Sequence, residues 1–178
     1  MDTVNEEKQY RVLDEDDSAR YRLDLEDYSK RAFVLCLQAL FEMDLRKASA
    51  EEAAADAVNR ELMAEMKFFV FEACDYIEKN NETIDKLVKD HITCNWTLER
   101  LAFVERNILR LGAYLMLAMP ELPSFNANSG KIAMQAFNSR KAWETCYWLA
   151  REYGQPKSVN LVKAIVDSIR KDCEKAND

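Results

Sequence analysis

The segment from Thr97 to Met119 constrains the fold more than any other stretch of the chain. Its apolar residues recur at spacings of three, four and seven, which is typical of a helix with one face turned to a core. The residues on this face are Leu98, Leu101, Ile108, Leu111 and Leu115. Thr97 suits the N-cap, because its hydroxyl can accept a first-turn N–H. A glycine inside a helix lowers its stability by about 1 kcal/mol relative to alanine. Gly112 therefore needs a packing reason, and we expect a neighbouring helix to lie close to it.

Composition extends this helical prediction to the whole chain. The 178 residues include only three glycines and three prolines, too few for a turn-rich β-sandwich or barrel. β-Branched residues do not alternate with polar ones over the length of a strand. The length suits one domain with a substantial core. We therefore predict an all-α fold, a compact bundle of about seven helices.

Local signals set the expected helix limits. Ser49 with Glu52 three residues later forms a capping box that opens the second helix. Gly154 suits a left-handed residue after the sixth helix, and Ser158 suits the cap of the last one. Turn residues predict a loop over 124–130, and the pattern of 131–137 is compatible with a short helix. The predicted helices cover residues 29–44, 49 to about 59 or 66, 68–79, 82–92, 97–119, 141–153 and 158–171.

Charge is unevenly distributed along the chain. Residues 1–28 hold ten acids and four bases, and few aliphatic side chains, so we expect a mobile or loosely docked acidic extension with one helical turn near 21–28. The helical domain is then expected over residues 29–178. The net charge of −7 repels nucleic acid as a whole, although residues 82–178 hold fourteen bases and twelve acids. Any RNA contact must therefore come from a few well-placed residues.

Several classes of function are disfavoured by residue content. His91 is the single histidine, and the five cysteines (36, 74, 94, 146 and 173) show no CxxC spacing. We expect packed, reduced thiols, no metal, no cofactor and no catalytic site, so the chain is not expected to be an enzyme. No apolar run approaches the ~20 residues of a membrane span, and the N-terminus lacks the apolar core of a signal peptide. A cytoplasmic protein is predicted.

Three blocks in order carry a resemblance to a known family. The first is Lys-Arg-Ala at 30–32, leading to Leu-Gln-Ala-Leu-Phe at 37–41. The second is Trp-x-Leu-Glu-Arg-Leu at 96–101 with Val-Glu-Arg-x-Ile-Leu-Arg-Leu at 104–111. The third is Leu-Ala-Arg-Glu-Tyr-Gly at 149–154 with Leu-Val-Lys-Ala-Ile-Val-Asp at 161–167. From about residue 29 to 169, the chain resembles the NusB family of bacterial transcription antitermination factors.

The resemblance implies a NusB-like helical fold and a function in transcription antitermination and rRNA synthesis. Its implied partners are the ribosomal protein NusE, a boxA-like single-stranded RNA and the RNA polymerase antitermination complex; a homodimer is also compatible with it. The alternative is a protein–protein interaction module of the same fold that has lost RNA binding.

The resemblance also implies site residues, each with a structural alternative. The RNA-binding residues are Lys30, Arg31, Phe41, Lys157, Ser158, Asn160, Leu161 and Lys163. The structural alternative for the basic residues is a solvated surface charge. For Phe41 it is core packing, and for Ser158 it is helix capping. The partner-binding residues are Glu105, Arg106 and Arg110, expected on an exposed helix edge, where they would otherwise form a solvated face.

Four departures from the family pattern bear on RNA binding. Only Lys30 and Arg31 remain of an arginine-rich opening, and Phe-Val at 33–34 replaces Arg-Glu. The Phe-Val-Asn-Gly motif becomes Leu-Val-Lys-Ala at 161–164, so one aromatic ring is lost. The Ile-Asn-Glu-Ala motif becomes Trp-Glu-Thr-Cys at 143–146, and about fifteen residues are inserted after Pro120. Of Trp143, Tyr147 and Trp148 we expect two in the core and one at an interface.

Overall fold

A computed structural model describes residues 15–59, 64–93, 96–118, 121–126, 131–136 and 138–176; for 15–29, 65 and both strands it describes the backbone only. Within these ranges the fold is the predicted all-α bundle. Its seven α-helices are α1 (Glu15–Arg46), α2 (Ala50–Ala57), α3 (Ala64–Lys79), α4 (Asn81–His91), α5 (Phe103–Ala118), α6 (Ser139–Tyr153) and α7 (Val159–Ala176). Two strands, β1 (Glu121–Asn126) and β2 (Lys131–Ala136), form a hairpin between α5 and α6.

Helix α5 lies at the centre of the bundle. It contacts α1, α3, α4, α6 and α7. The predicted core residues Leu101, Ile108, Leu111 and Leu115 are all buried. Phe33, at a position where the family has arginine, is also buried and packs edge to face on Phe69 of α3. The hydrophobic pattern of the sequence therefore identifies the centre of the fold correctly.

The predicted helix over 97–119 is divided. Leu98–Arg100 form a 3₁₀ turn, Leu101 is extended, and α5 begins only at Phe103. Thr97 makes no capping hydrogen bond, so its predicted role was wrong. Glu99 instead pairs with Lys89 of α4 at 2.8 Å, which attaches the turn to a neighbouring helix. Tertiary contacts thus override a local preference for one continuous helix.

Helix α1 begins at Glu15 and crosses residue 28, where the sequence predicted an acidic extension with one helical turn. The first firm helix was therefore placed fourteen residues too late. Residues 15–28 lack an apolar stripe, but helical backbone hydrogen bonding propagates from an existing helix without one. Residues 1–14 lie outside the described part of the chain, and the division at residue 28 stays a prediction.

The insertion after Pro120 forms an antiparallel hairpin. Its register runs from Glu121 opposite Ala136 to Asn126 opposite Lys131. This corrects both the loop predicted from Ser124 and the short helix predicted over 131–137; residues 127–130 lie outside the described ranges. The strands carry no clear alternation of apolar and polar residues, so their pairing left no periodic signal in the sequence.

Two glycines allow close contacts of different kinds. A Cβ on Gly112 would lie 2.7 Å from Sγ of Cys146 in α6, which confirms the predicted helix contact. Gly154 is extended, with φ of −82°, so the predicted left-handed conformation was wrong. A Cβ there would lie 2.6 Å from the carbonyl oxygen of Ala150, so the absence of a side chain is what this position requires.

We expect Gly112→Ala to lower the free energy of unfolding by up to about 2 kcal/mol. The overpacking against Cys146 costs roughly 1–3 kcal/mol and outweighs the ~1 kcal/mol gain in helix propensity. In a Cys146→Ala background the same change should instead stabilise the protein by about 0.5–1 kcal/mol. Urea denaturation of the unmodified chain, the two single variants and the double variant measures both values. A destabilisation of equal size in both backgrounds would exclude the Cys146 contact as its cause.

Candidate nucleic-acid interface

A groove of about 630 Å³ runs between α1, the end of α2 and the adjoining ends of α5 and α6. Two of the predicted RNA-binding residues, Arg31 and Phe41, line it together. Gln38 and Tyr153 also line it and were missed by the sequence reasoning, although both belong to the motifs that carry the resemblance. The other lining residues are Leu35, Leu37, Glu42, Asp56, Ala57, Asn59 and Val104.

The groove combines exposed positive charge with partly exposed rings. Arg31 is exposed, and Phe41 is half-buried with its ring edge to face on Phe103 at 6.0 Å. The two carboxylates at the groove, Glu42 and Asp56, lie 3.0 Å and 3.7 Å from the guanidinium of Arg46. This pairing reduces the negative charge that Glu42 and Asp56 present to a polyanion.

Lys30 connects the groove to α6. Its Nζ lies over the ring of Trp148 at 5.5 Å, and Trp148 packs edge to face on Tyr153 at 6.1 Å. Lys30 is exposed, whereas Trp148 is half-buried. The ammonium is therefore held close to the groove by an aromatic contact.

The start of α7 presents the other predicted RNA-binding residues. Lys157 and Ser158 belong to a 3₁₀ turn, Pro156–Ser158, that continues directly into α7. Lys157 and Asn160 are exposed, while Ser158 is half-buried and Leu161 packs on the core. Lys157 follows Tyr153 by four residues, so their Cα atoms are at most about 15 Å apart.

Lys163 and Lys30 flank α6 on different sides. Lys163 Nζ lies 5.8 Å from the ring of Trp143 and 5.2 Å from that of Tyr147. At 100° per residue, Tyr147 and Trp148 point to neighbouring sides of the helix, with Arg151 between them. The predicted basic residues on α1 and α7 thus lie on either side of one helix.

Glu105 lies in the core, contrary to the exposed position predicted for it. Its side chain is 1% exposed, and Oε1 accepts a hydrogen bond of 2.8 Å from the backbone N–H of Gln155. Oε2 is buried without a partner among the described residues. The carboxylate attaches the connection between α6 and α7 to the start of α5, and it offers almost no surface for direct contact with a partner.

Arg106 and Arg110 are also largely buried, so the predicted exposed edge was wrong for them. Arg110 donates two hydrogen bonds to Asp85 of α4, at 2.7 and 2.8 Å, and one to Asp44 of α1 at 3.1 Å. Arg106 donates to the same Asp44 carboxylate at 2.8 Å. Asn107 adds a bond of 3.3 Å to it. This buried ionic network joins α1, α4 and α5.

The three aromatic residues of α6 differ from the expected division into two core residues and one interface residue. Trp143, Tyr147 and Trp148 are all half-buried. Trp143 and Tyr147 stack with ring centroids 5.7 Å apart and planes at 17°. All three rings are therefore partly accessible, with Lys30 over Trp148 and Lys163 over Trp143 and Tyr147.

No group of metal-ligating side chains occurs among the described residues. Cys36, Cys74 and Cys146 are buried free thiols, Cys173 is a half-buried one, and Cys94 lies outside the described ranges. Burial raises the pKa of Cys74 and of Cys146 to about 12. His91 is engaged by the Leu87 carbonyl and by Asp172 of α7. No described helix is both long and apolar enough to cross a membrane.

Comparison with known proteins identifies the family. The NusB family model matches residues 30–127. The transcription antitermination protein NusB of Bacillus licheniformis is 32% identical over 138 residues, which cover 78% of this chain and 92% of that protein. NusB of Koribacter versatilis is 30% identical over 142 residues, covering 79% of this chain and 86% of that protein.

Solved structures agree on the fold. T. maritima NusB superposes with a TM-score of 0.66 at 22% identity, covering 80% of this chain and 90% of that one. A chain from a structure of NusB and NusE in complex with dsRNA gives 0.63 at 22% identity, covering 82% and 98%. The sequence resemblance is thereby confirmed, and the chain belongs to the NusB family.

Proposed function

We propose that this chain is a cytoplasmic transcription antitermination factor that binds boxA-like single-stranded RNA together with the ribosomal protein NusE. Its relatives are named transcription antitermination proteins, and the structure of one relative was solved in complex with NusE and dsRNA. The observation that carries the proposal is the groove that holds Arg31 and Phe41 beside the cations around α6. The role is one of binding and requires no catalytic group.

The groove residues have the chemistry needed to bind single-stranded RNA. Arg31 and Lys30 supply charge for phosphates, and the partly exposed rings of Phe41 and Tyr153 can stack on bases. Lys157, Ser158, Asn160 and Lys163 extend the polar surface at the start of α7, where the first-turn N–H groups favour an anion. Leu161 offers an apolar contact in place of the family's aromatic ring.

NusE is expected to raise the affinity for RNA because both proteins contact the same RNA strand. Few cations are available on this chain, so its own contribution to RNA affinity is small. Once the two proteins associate, the second RNA contact becomes intramolecular, and the two weak surfaces act at a high effective concentration. The ternary complex would then hold nascent RNA close to RNA polymerase.

We propose the partner surface on the exposed edge of the buried ionic network. Phe103 is 38% exposed, and the guanidinium of Arg106 lies 4.8 Å from its ring centroid. Arg106 is thereby held between Asp44 and an accessible ring. Glu105 and Arg110 would support this surface from within, since neither offers much area for direct contact.

Titration of a boxA-like RNA with and without NusE tests the proposal. We expect tight binding only with NusE, and for the chain alone a slope of log affinity against log salt near −2 to −3, at ~0.7 per phosphate contact. Arg31→Gln should reduce that slope by about 0.7. Lys175→Gln, which removes an exposed charge already paired with Asp172, should leave it unchanged.

The same titration includes the outcome that would reject RNA binding. If the complex with NusE forms but does not bind RNA at low salt, the chain is a protein–protein interaction module of the same fold that has lost RNA binding. The net charge of −7 is the observation that favours this second reading.

A further inference from the structure

A cluster of two rings and two cations covers the outer side of α6. Trp143 and Tyr147 stack almost in parallel, at 17°. Lys163 of α7 lies over both rings, and the guanidinium of Arg151 lies 5.8 Å from the ring centroid of Tyr147. Both cations are exposed and both rings are half-buried, so all four side chains reach the surface. We refer to these four residues as the α6–α7 cluster.

The cluster has positive charge that no carboxylate among the described residues pairs with. Elsewhere on these helices, Arg140 pairs with Glu144, and Lys171 and Lys175 pair with Asp167 and Asp172. Within the described residues, Lys163 and Arg151 form no ion pair. The carboxylate one turn beyond Lys163, that of Asp167, is engaged by Arg170 and Lys171. The cluster therefore favours an anionic ligand.

The cluster is formed by two helices that pack on each other. The structure brings Lys163 of α7 and Trp143 of α6 into contact, although they are twenty positions apart. The packing of α7 on α6 therefore places a cation over the stacked rings.

We propose that the α6–α7 cluster binds one nucleotide of single-stranded RNA. Its base stacks on the Trp143–Tyr147 pair, and Lys163 and Arg151 bind the phosphates on either side of that nucleotide. Accessible aromatic rings beside cations are the combination with which many proteins bind single-stranded nucleic acids. Cation–π contacts at exposed sites are weak, so both cations can turn to phosphates and leave the rings free. The inference rests on the proposed function and extends its RNA path beyond the groove.

Tyr147→Leu tests the cluster in the full chain together with NusE and boxA-like RNA. Loss of one stacked base should weaken RNA binding by roughly tenfold, whereas Tyr147→Phe, which keeps the ring, should bind within about twofold of the unmodified chain. Trp96→Leu is the matched control, because Trp96 is 45% exposed beneath Arg100 in a contact of the same kind. It should not change RNA affinity. Thermal melting and NusE binding verify that each variant is folded.

The outcomes separate this inference from the proposed function. If Tyr147→Leu and Tyr147→Phe both bind RNA like the unmodified chain, while Arg31→Gln still weakens binding, the cluster is not an RNA contact and the antitermination proposal stands. If the unmodified chain with NusE binds no RNA, the proposed function fails and the inference fails with it. Equal losses for Tyr147→Leu and Trp96→Leu would also overturn the inference, because they would show that the effect is not local.

Discussion

Arg110→Ala should lower the free energy of unfolding by about 3–5 kcal/mol, the usual cost of removing one partner from a buried ion pair. The Arg110 guanidinium makes three hydrogen bonds to Asp85 and Asp44, and about 14% of its side chain is exposed. Without the guanidinium, Asp85 loses its two hydrogen bonds to Arg110, while Asp44 keeps its ion pair with Arg106. The Asp85 carboxylate is then left without these bonds in a poorly solvated site between α1, α4 and α5. Chemical denaturation monitored by circular dichroism gives the value.

Arg140→Ala provides the comparison for this prediction. Arg140 pairs with Glu144 at 3.1 Å, but its side chain is 83% exposed. Exposed pairs of this spacing contribute only about 0.3–0.5 kcal/mol. Equal losses for Arg110→Ala and Arg140→Ala would show that the network contributes no more than a surface pair.

Glu105→Lys should destabilise the fold by at least about 3 kcal/mol, because it leaves an unpaired ammonium in a buried site. It also removes the acceptor for the Gln155 N–H. Because Gln155 lies two residues before Lys157, RNA affinity measured at a temperature where the variant is folded should fall as well. Calorimetry and RNA titration on the same samples measure both effects.

Glu105→Gln separates charge from hydrogen bonding at this position. Glutamine keeps a carbonyl oxygen for the Gln155 N–H, and the charge is removed. We expect a loss of no more than about 1–2 kcal/mol, because one buried amide N–H₂ then lacks an acceptor. If Glu105→Lys folds as stably as the unmodified chain, the carboxylate is not buried in solution, and the direct partner contact predicted from the sequence regains support.

Features encoded by neighbouring residues could be predicted from the sequence. The Ser49–Glu52 capping box forms as expected, because both partners lie within one turn of α2. The central core residues were identified because helical periodicity reports which face is buried. For the candidate site, Arg31 and Phe41 line the same groove, and only the family resemblance had pointed to them; that they bind RNA stays a prediction.

Features that depend on distant residues could not be predicted. Whether Glu105 is exposed or buried is decided by Gln155, fifty positions later, and the partners of Arg110 lie on α1 and α4. A charged residue inside an amphipathic pattern is normally assigned to solvent, since buried charge is rare without a partner. Gly154 was recognised as a required glycine for the wrong reason, because its clash with Ala150 involves a carbonyl and no unusual φ.

Because α1 is continuous, one helix carries both an acidic segment and the cations of the groove. Residues 15–28 carry six acids and two bases, and Lys30 and Arg31 follow directly on the same helix. At 1.5 Å per residue, Glu15 lies about 24 Å along the axis from Arg31, whereas Asp27 lies about 6 Å from it. The screening length at physiological salt is about 8 Å, so the near acids act on the groove cations and the far acids hardly do. A polyanion that approaches the groove is therefore attracted by Lys30 and Arg31 and repelled by the adjoining end of the acidic segment.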